Sequence, residues 1–68
     1  MINMAEFKKK IRIGNVVQLK DHTGKFRKME IEEILDNLVL ARAFIGTSQN
    51  KGWIEAYSWG QLYVAYDH

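Results

Sequence analysis

Ile13-Gly14-Asn15-Val16-Val17-Gln18-Leu19-Lys20 is the stretch that decides the fold. A glycine followed by a small polar residue sets a turn or bulge, and the run that leaves it alternates. Taken from Ile11, the residues Ile11, Ile13, Val17 and Leu19 fall on one face and Arg12, Val16, Gln18 and Lys20 on the other. A period of two in a β-branched segment predicts a half-buried strand. Asp21-His22-Thr23-Gly24 is a run of turn formers, so the chain reverses there.

The residues on either side extend this pattern. Phe26 to Leu35 alternates at Met29 and Ile31, then slips, because Glu33 takes the parity of Met29 and Ile34 that of Glu32. A bent strand with a bulge near Glu32–Glu33 accounts for the slip, although Met29, Glu30, Glu32 and Leu35 also favour helix. Asp36-Asn37 marks a tight hairpin into a third strand, Leu38 to Ile45. A polar loop with glycine at both ends, Gly46 to Gly52, is the segment expected to be mobile. A fourth strand follows, with Trp53, Glu55, Tyr57 and Trp59 on one face. Gly60 marks a sharp turn, and the alternation of Leu62, Val64 and Tyr66 predicts a fifth strand. Met1 to Lys10 contains helix formers but is too short to hold a helix alone. It is expected to be a short helical turn or arm, residues 1–10, with Ile2 and Ala5 sharing a face that Phe7 does not join. The barrel domain then spans residues 11–68.

Sixty-eight residues make one small domain. Such a chain buries about 60% of its unfolded surface, and no cysteine is present to staple it. A core this small needs dense aromatic packing, a second copy or a partner. The apolar fraction of 47% at a net charge of +2 excludes a disordered chain. The lack of cysteine removes disulfides and thiolate metal sites and fits a cytoplasmic protein. No apolar run approaches the ~18 residues of a spanning helix, so no membrane role is expected. Charge is polarised along the chain. Residues 1–28 carry a balance of +6 and residues 29–68 a balance of −4, which steers an anionic partner to one side unless the halves neutralise each other.

Gly14-Asn15-Val16-Val17-Gln18-Leu19-Lys20 resembles the Gly-Asp-Val-Val-x-Leu-Lys opening of the YodC-like small bacterial proteins. Lys28 to Ile34 is similar to that family's Met-Thr-Val-x-x-Val segment, and Asp36 to Phe44 to its third strand. The resemblance covers residues 13–44. Asp21 to Lys25 replaces the family's Ser-Gly-Gly-Pro turn, and Ala43 stands where the family has a tryptophan. The resemblance implies an SH3-like barrel and carries no assigned activity. The expected fold is therefore all-β, a small five-stranded antiparallel SH3-like barrel.

His22 and His68 sit in no nucleophile or metal pattern. Glu30 and Glu32 share a strand face, which is ordinarily a solvated one, and Gly24-Lys25 lacks the spacing of a phosphate loop. The chain is not expected to be an enzyme, and neither a cofactor, a metal nor a small-molecule substrate is implied. Five of the eight aromatics, Trp53, Tyr57, Trp59, Tyr63 and Tyr66, lie within fourteen residues. A small barrel cannot enclose them all together with Leu38, Leu40 and Phe44, so part of this set should reach the surface. Leu40, Phe44, Trp53, Tyr57, Trp59 and Tyr63 are the candidate protein-binding or self-association residues. The alternative is a nucleic-acid-binding barrel using Lys8, Lys9, Lys10, Arg12, Lys20, Lys25, Arg27 and Lys28, with aromatic rings stacking on bases.

Overall fold

A computed structural model describes residues 3–45 and 51–68. The loop expected over Gly46–Gly52 lies, from 46 to 50, outside the described residues. The chain opens on helix α1, Met4–Lys10, capped by Asn3, whose Oδ1 accepts from the Glu6 N–H at 2.8 Å. Glu6 lies in the first turn and Lys8, Lys9 and Lys10 in the last, the arrangement that complements a helix dipole. Phe7 is the buried residue of α1, which corrects the expectation that it stands apart from the docked face.

After Ile11 the chain turns through Arg12 to Asn15, where Gly14 takes a φ of 91° that a side chain would strain. The turn swings Ile13 out to 65% exposure, so it does not join the core face assigned by alternation. Four strands follow as a meander: β1 Val16–Lys20, β2 Phe26–Ile34, β3 Leu38–Phe44 and β4 Lys51–Ser58. Each pairs antiparallel with the next, in the order β1-β2-β3-β4. The expected bulge is present, since the β2–β3 register shifts between Ile31 and Glu33 and returns Ile34 to the inner face opposite Val39. Leu35 N–H donates to the Leu38 carbonyl at 2.8 Å and closes the Asp36–Asn37 hairpin.

Leu19, Met29, Ile31, Val39, Ala41, Ala43 and Tyr57 form the inner face of the sheet, and Phe7, Ile11, Leu62 and Ala65 complete the core. The fifth strand is not formed. Trp59–Ala65 is helix α2, begun by a capping box in which Gln61 N–H donates to Ser58 Oγ at 3.2 Å and Ser58 N–H to Gln61 Oε1 at 3.0 Å. Its buried residues are Leu62 and Ala65, three apart on one helical face, while Val64 is 77% exposed. What remains of the fifth strand is one antiparallel bridge, Leu19 to Tyr66, with Asp67 N–H donating to the Gln18 carbonyl at 3.2 Å.

The sheet is therefore open and four-stranded, not a closed five-stranded barrel. A helix rises ~1.5 Å per residue against ~3.3 Å in a strand, so the segment coiled into α2 cannot run along β1 as a ladder. The gap between the edges is spanned by side chains instead. Tyr57 Oη donates to the Lys20 carbonyl at 2.8 Å, and His22 N–H to Glu55 Oε2 at 2.9 Å. None of the described helices is long and apolar enough to cross a membrane.

Candidate binding cleft

The β1–β2 turn is built on one carboxylate. Asp21 Oδ1 accepts from Thr23 N–H at 2.8 Å, from the Thr23 hydroxyl and from Lys25 N–H at 3.1 Å, and Oδ2 accepts from Arg27 Nε at 2.8 Å. The Asp21 side chain is fully buried, and its neighbours donate to it from every side. Hydrogen bonds from the Thr23 hydroxyl and the Arg27 guanidinium hold its pKa well below the usual carboxylate range, against the opposing effect of burial. Gly24, at φ 85°, lets the turn close around it.

From this turn the contacts run across the gap to β4. The Arg27 guanidinium lies over the Trp53 ring at 4.9 Å, and the His22 ring meets the same indole edge-on at 5.9 Å. Three bonds converge on Glu55 Oε2: His22 N–H and His22 Nδ1 at 2.9 Å each, and Trp53 Nε1 at 3.0 Å. Burial pushes the Glu55 carboxyl up, but the His22 and Trp53 bonds outweigh it and the net shift is downward, so the group stays ionised. Burial raises the Tyr57 phenol well above its ordinary value, which leaves it a neutral donor to Lys20.

An open cleft of about 500 Å³ lies between the turn, β4 and α2. It is lined by Lys20 and His22 from the end of β1 and the turn, by Glu55 and Tyr57 from β4, and by Gln61 and Val64 from α2. The exposed lining is mostly apolar, and Lys20, Asp21 and Glu55 are its charged residues.

The structure does not gather the six aromatic and aliphatic candidates into one surface. Trp53 packs beside the cleft, against its lining residues His22 and Glu55, and Tyr57 lines the cleft while only 6% exposed. Trp59 and Tyr63 are half-buried against Phe7, at ring-centroid distances of 6.4 and 5.0 Å, and so pack α1 onto α2. Leu40 and Phe44 lie on the opposite, outer face of the sheet, alternating with the buried Val39, Ala41 and Ala43. The helices thus absorb much of the aromatic surplus, while aliphatic residues such as Val16, Ile54 and Val64 take the exposed positions.

The eight basic candidates fall into two groups. Lys8 lies over the Trp59 ring and Lys10 over the Tyr66 ring, at 5.3 and 5.5 Å, with Lys9 exposed on α1 and Arg12 in the turn that follows. Lys20, Lys25, Arg27 and Lys28 belong to the β1–β2 hairpin. Among the described residues Arg27 alone of the eight forms an ion pair with a carboxylate. The cations of the second half take the strand glutamates: Arg42 Nε binds Glu32 at 2.7 Å, and Lys51 stands 3.7 Å from Glu30 and 3.8 Å from Glu32. These pairs give Glu30 and Glu32 a structural explanation, and no group of three metal-ligating side chains occurs among the described residues.

Glu55, His22 and Val64 are cleft residues that the sequence reading did not single out. The signal for Glu55 was present, since Trp53, Glu55 and Tyr57 share one strand parity and so place a carboxylate on an inward face. No protein-family model, curated protein or solved structure matches this chain.

Proposed function

We propose that this chain is a non-enzymatic, cytoplasmic protein-contact module that pairs with a second copy of itself through the cleft and α2. The supporting observation is a knob beside a hole. Val64, at 77% exposure, projects from the helix that forms one wall of the cleft. A two-fold axis near Val64 inserts the valine of each copy into the cleft of the other, a self-complementary contact of the kind that closes at a dimer. The need is physical as well, because a 68-residue chain without cysteine has little stability to spare and gains from further burial.

The His22–Glu55 pair supports the same reading. A carboxylate on one ring nitrogen is how a general base is oriented, but no described hydroxyl or thiol hydrogen-bonds the other nitrogen. The pair instead joins the turn to β4. The resemblance of residues 13–44 to the YodC-like proteins supports a β scaffold and supplies no activity.

Light scattering across a concentration series tests the proposal. The expected result is a dimer that Val64→Asp converts to a monomer with an unchanged circular dichroism spectrum. A wild-type chain that stays monomeric at high concentration overturns it.

A further inference from the structure

The outer face of the sheet carries a second feature, which shares Lys20 with the rim of the cleft. Lys20 pairs directly with Phe26, and Gln18 with Lys28, across β1 and β2. Phe44 pairs with Lys51 across β3 and β4. Lys28 and Phe44 adjoin the Met29–Ala43 pair on the same outer face, so they too are cross-strand neighbours. Two phenylalanines on adjacent strands are thus interleaved with three lysines at one end of the sheet. Phe26 is 49% exposed with the Lys20 ammonium 5.5 Å from its ring centroid, and Phe44 is partly exposed. Lys25 extends the positive charge into the turn. Glu30, at the border of this end, faces Lys51, and Glu33 lies toward the far end at the bulge.

We propose that this end of the outer face binds single-stranded nucleic acid. Two rings a diagonal apart on neighbouring strands are separated by roughly 7 Å, which suits stacking of successive unpaired bases. Lys20, Lys25 and Lys28 meet the phosphates, and Gln18 adds a side chain that both donates and accepts at the edge. A duplex keeps its base faces covered and offers these rings nothing, so the surface selects single strands. Charge complementarity identifies the occupant, since Lys20, Lys25 and Lys28 form no ion pair among the described residues.

The test is fluorescence anisotropy of the full chain with labelled oligothymidylate, oligouridylate and a DNA duplex over a salt series. Single strands should bind more tightly than the duplex, with a logarithmic salt slope of about −2 to −3 for three to four phosphate contacts. Phe26→Leu keeps an apolar side chain and removes the ring. It should weaken single-strand binding about tenfold and leave the salt slope unchanged. Lys28→Ala should reduce the slope by about 0.7. Val64→Ser, which adds no charge to the cleft that Lys20 also lines, should bind as wild type does, which separates this surface from the proposed dimer contact. Lack of binding at low salt overturns the inference, as does binding that Phe26→Leu leaves intact. A change of mass in light scattering for Phe26→Leu also overturns it, by marking the face as an interface between copies.

Discussion

Asp21 shows how much one side chain can organise at the scale of a residue. It terminates β1, fixes the turn through Thr23 and Lys25, and orients Arg27 over the Trp53 ring. The turn itself was legible, because Asp-His-Thr-Gly is local chemistry. The link to Trp53 and Glu55 was not, because those residues arrive from some thirty positions away. The carboxyl is more acidic folded than unfolded, so it contributes stability above its unfolded pKa near 4 and loses it as pH falls through the acid range. Glu32 and Glu55 are shifted the same way and add to the same trend. The urea midpoint should therefore fall as pH is lowered from about 5 to about 2. Asp21→Asn should lower the midpoint at neutral pH and flatten that fall. A variant with the wild-type pH profile would show that the carboxylate charge is not involved.

Elements were legible where local signals agreed and misread where two periods competed. The first three strands, the bulge near Glu32–Glu33 and the Asp36–Asn37 hairpin follow from alternation and turn chemistry that a few residues carry. In the last segment, Leu62, Val64 and Tyr66 alternate as a strand would, yet the Ser58–Gln61 capping box and the 3-residue spacing of Leu62 and Ala65 favour helix. The helix prevails because it brings Leu62 and Ala65 into the core and lays Trp59 and Tyr63 against Phe7. Gly60 discriminates the two readings. A Cβ added there meets no atom within 4 Å, and its φ is not positive, so Gly60→Ala should raise stability by about 0.5–1 kcal/mol in a thermal melt. A sharp turn at this glycine would instead make the same change destabilising.

For the molecule as a whole, the expected compactness holds while the means of closure differs. Alternation cannot tell a strand that completes a ladder from a helix that covers the gap, because the difference lies in contacts between the two ends of the chain. The charge asymmetry survives folding in part, since the lysines of the first half turn to aromatic rings or solvent while the glutamates of β2 are taken by Arg42 and Lys51. The way the sheet closes also sets an order of events. Every strand pairs with its neighbour in sequence, so the meander is built from hairpins with short loops to close. The bonds from Tyr57 to Lys20 and from His22 to Glu55 span 37 and 33 residues and must await the whole sheet. Tyr57→Phe should cost about 1 kcal/mol, expressed almost entirely as faster unfolding in stopped-flow kinetics. A slower folding limb would place the seam in the nucleus instead. On this view the side chains that stand in for a fifth strand act as a late-fastening clasp: they lengthen the lifetime of the folded chain without hastening its formation.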